Sequence, residues 1–183
     1  YSCSFCCINA PFGKPGIRFR SPELVVEEME LLQKKYGVKN LKIVDELFVL
    51  RESHYMKIVD LIIEKELDLN IWAYARVDTI KIENMLKMKK AGINWLALGI
   101  ESANPDVRDG ASKKIRVQNI KNVVNKIQAA GIYIIGNFIF GLPDDTLATM
   151  QETLDMAVDL NCEFVNFYCA MAYPGSKLYD IAI

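Results

Sequence analysis

No hydrophobic run in this sequence is long enough to span a bilayer. The longest apolar stretch, Gly131 to Pro143, is interrupted by Gly136, Asn137 and Gly141, and falls short of the roughly 20 residues a membrane helix needs. An excess of either charge is missing as well. Lys and Arg number 22 against 23 Asp and Glu, a formal net charge of -1, so no global basic field points to nucleic acid or anionic lipid. Histidine is almost absent: His54 is the single one, and it falls within a predicted helix. Five cysteines, an odd number in a chain rich in Lys and Glu, do not make the framework of a secreted disulfide protein and favour a reducing, cytoplasmic setting. No linker or low-complexity tract divides the chain. A composition that is 51% hydrophobic and 25% charged over 183 residues is that of one domain, 1–183, with a sizeable core.

What is present is a rhythm. Short β-rich runs alternate with stretches of helical period, which reads as successive βα units. Ser21-Pro22 looks like an N-cap followed by proline in the first turn, with Val25, Met29, Leu32 and Tyr36 on one face and Gly37 as the stop. A strand at Leu41–Val44 precedes a helix carrying Tyr55, Ile58, Val59, Ile62 and Ile63. A strand at Ile71–Tyr74 precedes a short helix with Ile82, Met85 and Leu86. Trp95–Ile100 reads as a buried strand, followed by a helix whose Ile120, Val123, Val124 and Ile127 face inward. Ile132–Phe140 is the next strand, Leu147, Met150, Leu154 and Val158 mark its helix, and Phe164–Ala172 is the last strand. The fold class expected is α/β, a partial (β/α)6 TIM-barrel-like sheet lacking its first strand. A doubly wound open sheet is the alternative, but no G-x-G-x-x-G follows any strand.

In a barrel of this kind the chemistry sits at the C-terminal ends of the strands. Polar residues gather at those positions: Asp45 and Glu46, Arg76 and Asp78, Glu101 and Ser102, and Asp144 and Asp145 after Gly141-Leu142-Pro143. Loops there are polar in any case and often cap the next helix, although Glu101 directly follows an apolar run. Cys3-Ser4-Phe5-Cys6 occupies the loop where the first strand would end. Zinc knuckles, redox pairs and iron-sulfur sites all use the C-x-x-C spacing. Zinc would need two further ligands nearby, whereas Cys162 and Cys169 lie at the far end of the chain and read as small core residues. Cys7 reads as a packing residue.

At this point the sequence resembles the radical S-adenosylmethionine (radical SAM) superfamily. Its hallmark is C-x-x-x-C-x-aromatic-C on the loop after the first barrel strand; Cys3, Phe5 and Cys6 match the second cysteine, the aromatic residue and the third cysteine. The first cysteine would fall two places before Tyr1. Val44-Asp45-Glu46-Leu47-Phe48 is similar to the segment that holds the methionine ammonium in cobalamin-binding members. Gly99-Ile100-Glu101-Ser102 is similar to the fourth-strand motif that contacts the ribose. Asn137 to Asp144 is similar to the G-x-I-x-G-x-x-E segment beside the adenine, with Asn137 and Asp144 replacing the first Gly and the Glu. Ala172 to Leu178 is similar to the Pro-Gly-Thr segment after the sixth strand.

The resemblance implies a 4Fe-4S cluster on Cys3 and Cys6 and S-adenosylmethionine at Phe5, Asp45, Glu46, Arg76, Glu101, Ser102, Asn137 and Ile139. Asp45 or Glu46 would hold the ammonium and Glu101 the ribose hydroxyls. Arg76, or one of Lys113, Lys114 and Arg116, would face the carboxylate. The implied activity is reductive cleavage of S-adenosylmethionine to a 5'-deoxyadenosyl radical that abstracts hydrogen from a small-molecule substrate, fed by an electron donor such as flavodoxin or ferredoxin. The motif style implies the branch that performs cobalamin-dependent methylation and related carbon chemistry, with cobalamin on a domain outside this chain and a C-terminal extension beyond it. Methylthiotransferases of RNA or protein are an alternative within the superfamily, and a non-enzymatic zinc or thiol module is the alternative from another class. The 183-residue chain by itself is expected to be inactive, since one cluster ligand falls outside it.

Overall fold

The computed structural model describes residues 3–8, 13, 16–110 and 117–183. Five strands, β1 (Asn40–Lys42), β2 (Asn70–Arg76), β3 (Ile93–Glu101), β4 (Tyr133–Phe140) and β5 (Phe164–Cys169), form one sheet in the order β1-β2-β3-β4-β5. Every pairing is parallel. Helices α1 (Pro22–Tyr36), α2 (Glu52–Glu64), α3 (Met85–Lys90), α4 (Pro105–Gly110), α5 (Val117–Ala129), α6 (Leu147–Leu160) and α7 (Lys177–Ala182), with short 3-10 turns at Phe48–Leu50, Val77–Thr79 and Ile82–Asn84, complete the described elements. Consecutive strands that are neighbours, joined through helices, are the βα rhythm expected for a curled, partial barrel.

Strand alternation decides which face becomes core. In β2, Ile71, Ala73 and Ala75 are buried against helices, while Trp72, Tyr74 and Arg76 on the other face are only partly covered. β4 repeats this with Ile134, Gly136 and Phe138 buried and Ile135, Asn137 and Ile139 half-buried. The core on the helix side joins Val59 and Ile62 of α2, Met88 of α3, Ile120, Val124 and Ile127 of α5 and Leu160 of α6. The partly covered face therefore lines the inside of the curled sheet, where its upper residues meet the site. Asn70, Asn40 and Asn94 close the lower end through amide hydrogen bonds of 2.8 and 3.0 Å.

Helix α1 starts and stops as the sequence dictates. Ser21 Oγ accepts from the Leu24 amide at 3.3 Å, and Gly37 adopts a left-handed conformation that returns its amide to the Gln33 carbonyl. Gly92, between α3 and β3, is more tightly constrained. Its φ is 85°, and a Cβ there would run into the Leu69 carbonyl. Gly92→Ala is expected to destabilise the protein by roughly 3 kcal/mol or more, since both the backbone region and the close approach exclude a side chain. Chemical denaturation followed by circular dichroism checks this, and a loss below about 1 kcal/mol would show that the turn relaxes.

Two boundaries and one face differ from expectation. The first strand ends at Lys42 and not Val44, although the Ile43 amide still donates to the Trp72 carbonyl at 2.8 Å. The last strand ends at Cys169, where the chain bends before Pro174. In α6 the residues turned to the core are Thr153, Ala157 and Leu160; Leu147 and Val158 are 85% and 73% exposed. Thr153 and Ala157 are small, and Thr153 also satisfies polar groups at the end of β3, so the helix seats on that stripe in preference to the larger apolar one. Among the described residues no helix is long and apolar enough to cross a membrane.

Candidate active site

Glu46, Tyr74, Arg76, Gly99, Glu101, Asn137, Ile139 and Tyr168 line one cavity of about 300 Å³ at the C-terminal ends of the strands. That volume is at the lower end of the ~300–1,000 Å³ typical of ligand pockets. Five of the residues singled out from the sequence, Glu46, Arg76, Glu101, Asn137 and Ile139, meet there.

The end of β3 is built to present Glu101. The β3–β4 register shifts between Gly99 and Glu101, and Glu101 takes a φ of 69° while remaining 7% exposed. A bulky residue in the left-handed region costs about 1–2 kcal/mol, and bulges beside active sites re-aim side chains. Ser102 follows it into the opposite environment. Its side chain is fully buried, its Oγ lies 3.2 Å from Thr153 Oγ1, and it accepts from the Asn104 amide. Ser102 therefore braces the strand end against α6, outside the cavity lining. Arg108 of α4 adds to this support: its guanidinium is fully buried and donates to the carbonyls of Ser102 and of Ala103, the latter at 2.7 Å.

Asn137 and Asn166 face each other across β4 and β5, with Asn166 Nδ2 donating to Asn137 Oδ1 at 3.1 Å and Asn137 Nδ2 reaching the Leu98 carbonyl at 3.4 Å. Asn137 is thus held in place by its neighbours on both sides. Asp45 is exposed and does not line the cavity, whereas Glu46 does.

The cysteine loop lies beside this cavity. The Cys6 amide donates to the Cys3 carbonyl at 3.2 Å, a turn that brings the two cysteines together; Cys3 is half-buried and Cys6 exposed. Phe5 packs with Val107, Leu142, Ile139 and Ala170, which anchors the loop between β4 and β5. Arg76 Nη1 stands 3.7 Å from Cys3 Sγ. The Leu178 amide, at the start of α7, donates to the Ser4 carbonyl at 2.9 Å.

Cys3 and Cys6 are soft donors of the kind iron-sulfur clusters use. They fit such a cluster in chemistry; among the described residues no third His, Cys, Asp or Glu joins them to form a metal-holding group. Lys113, Lys114 and Arg116 lie outside the described residues. His54 is engaged elsewhere, its Nε2 2.8 Å from the Arg20 carbonyl and its ring against Phe19.

Cys162 packs against the core as expected, but Cys169 is exposed, because β5 turns that side chain to a face no described helix covers. Burial, with a smaller contribution from the Glu163 charge, pushes the Cys162 thiol up to about 11. Its alkylation by iodoacetamide at pH 8 is expected to be roughly a hundredfold slower in the native protein than in urea, where the thiolate fraction recovers. Peptide mass spectrometry measures the two rates, and equal rates would contradict the burial.

The family model of the radical SAM superfamily matches residues 1–157. This chain belongs to the radical SAM superfamily. Membership marks it as part of an enzyme, and its sheet is a partial radical SAM barrel. The chain is 32% identical to an uncharacterized methyltransferase of Pyrococcus horikoshii over 183 residues, all of this chain and 40% of that protein. It is 28% identical to a bacteriochlorophyllide d C-12(1)-methyltransferase of Chlorobaculum tepidum, over 97% of this chain and 39% of the relative. The solved radical SAM methyltransferase TsrM of Kitasatospora setae, with cobalamin and a [4Fe-4S] cluster bound, superposes with a TM-score of 0.86 at 22% identity, over 97% of this chain and 34% of that one. The chain thus spans about two fifths of the two relatives and about a third of TsrM, and the likeness to TsrM is one of fold.

Tyr74 and Tyr168 of this cavity were not singled out from the sequence. The signal for both was strand parity: Tyr74 shares a face with Arg76 two residues on, and Tyr168 pairs with Ile139 across β4 and β5. A zinc or thiol module without catalytic function finds no support in this membership.

Proposed function

We propose that this chain is the catalytic core of a radical SAM enzyme that carries out methyl transfer or related carbon chemistry on a small molecule, with cobalamin held by a part of the protein outside residues 1–183. The observation that carries the reading is the convergence of Glu46, Arg76, Glu101, Asn137 and Ile139 on one cavity, with Cys3 adjacent through Arg76. The methyltransferases among the relatives support the reaction class.

Cys3 and Cys6 would hold the 4Fe-4S cluster, whose contribution is one electron for the cleavage of S-adenosylmethionine. The chain's own residues then act as a mould. Glu46 would accept from the cofactor's ammonium, with Asp45 as a second carboxylate at the rim, and Glu101 from ribose hydroxyls, as charge-assisted hydrogen bonds. Asn137 and Ile139 would flank the adenine, Ile139 sharing its apolar contacts with Phe5. Ser102 would act from behind, by fixing the backbone that points Glu101 inward. Walls such as Gly99 and Ile139 would hold the partners in register. A flavodoxin- or ferredoxin-type donor would supply the electron.

The full-length protein tests the reading. After anaerobic iron-sulfur reconstitution and addition of cobalamin, reduction in the presence of S-adenosylmethionine should yield 5'-deoxyadenosine, and a labelled methyl group should appear in a small-molecule fraction of cell extract. Label in RNA would favour the methylthiotransferase alternative. A colourless protein that cleaves nothing would overturn the proposal.

A further inference from the structure

Arg76 is built differently from the other residues of the cavity. Its Nε and Nη2 each lie 2.9 Å from one oxygen of Asp78, a two-point grip that fixes the guanidinium plane. The backbone below it is fixed as well: Thr79 Oγ1 accepts from the Arg76 amide and donates to the Arg76 carbonyl at 2.9 Å. The remaining terminal nitrogen, Nη1, is the one 3.7 Å from Cys3 Sγ. The Arg76 side chain is 12% exposed and that of Asp78 is 32% exposed.

We propose that Arg76 is a positioning residue for the cluster, donating an N–H···S hydrogen bond to Cys3 and thereby making the cluster easier to reduce. This rests on the radical SAM reading above and deepens it by giving Arg76 to the sulfur and not to the cofactor's carboxylate. Each electron added to a thiolate-ligated cluster increases negative charge at the sulfurs. A cation that donates to one of them favours the reduced form, and hydrogen bonds to the sulfurs are among the determinants of cluster potential. Asp78 opposes the effect only partly, because it is the more exposed partner and water screens it more. Its grip has a second consequence. With Nε and Nη2 occupied on one side, Nη1 is the terminal nitrogen aimed at the loop, and Cys3 gains a fixed donor before any cluster is present.

The test is a mediated redox titration of the reconstituted full-length protein, followed by electron paramagnetic resonance without S-adenosylmethionine, alongside binding of S-adenosylmethionine measured separately. Arg76→Gln is expected to shift the cluster midpoint potential, read in the absence of S-adenosylmethionine, to a more negative value. Arg76→Lys, which keeps the charge but loses the planar fork, is expected to fall between Arg76→Gln and the unsubstituted protein. If Arg76→Gln does not load a cluster, the Lys variant decides by the same sign of shift. An unchanged potential in a variant that holds its cluster overturns the proposal, and a tenfold loss of cofactor affinity alongside it returns Arg76 to the carboxylate. Failure of the unsubstituted protein to take up any cluster is a different result, visible before a variant is made, and counts against the superfamily chemistry itself.

Discussion

Cys3→Ala and Cys6→Ala, each introduced into the full-length protein, are expected to abolish the visible absorption of the reconstituted cluster and to reduce S-adenosylmethionine cleavage to background. A single lost thiolate is decisive because cluster iron is held by cysteine sulfur, and no other soft donor stands ready: among the described residues no third group completes a metal set around Cys3 and Cys6. Cys7→Ala and Cys169→Ala serve as matched controls, since neither is assigned to the cluster, and both should retain colour and turnover. Iron and sulfide content, absorbance and 5'-deoxyadenosine yield read the outcome together. Full cluster loading in Cys3→Ala would remove this loop from the active site altogether.

Glu101 carries the second large effect, in two currencies of opposite sign. A buried hydrogen bond to a charged group contributes about 1.5–3 kcal/mol, so Glu101→Ala should weaken S-adenosylmethionine binding by roughly 10- to 100-fold. Glu101→Gly should weaken it as much. The two variants should differ in stability, because position 101 has a φ of 69° and only glycine occupies that region without strain. Glu101→Gly is therefore expected to be more stable than Glu101→Ala by about 1 kcal/mol. Isothermal titration calorimetry reads the first effect and denaturation the second. Equal stability of the two variants would mean that the bend at this strand end carries no strain.

Much of this site could be read directly from residues one after another. The order of strands and helices followed from apolar period, and the ends of α1 from Ser21, Pro22 and Gly37, because those signals are local. Glu46, Arg76 and Glu101 were found because each stands at a strand end, a position the βα rhythm defines, whereas Asn137 and Ile139 were found through the resemblance of their segment to a radical SAM motif. What escaped the sequence depends on packing between distant segments. Ser102 and Glu101 are adjacent and both polar, yet a register shift sends one into the cavity and the other against Thr153, fifty-odd residues along the chain. Arg108 looks like a surface residue in a short helix and is fully buried, because carbonyls of the β3 turn need its donors. In α6 the larger apolar stripe suggested the wrong inner face; Thr153 decided the rotation by a hydrogen bond that no hydrophobic period encodes.

The hydrogen bond from the Leu178 amide to the Ser4 carbonyl sets a timetable. The cysteine loop is among the earliest parts of this segment to leave the ribosome, yet one of its anchors is among the last. Phe5 likewise waits for Ile139 and Ala170. Contacts this far apart in sequence form late, after the intervening sheet has brought the two ends together. A cluster held by these thiols would accordingly wait for completion of β5 and the turn that follows it, so that the order of synthesis would help decide when the thiols become a site.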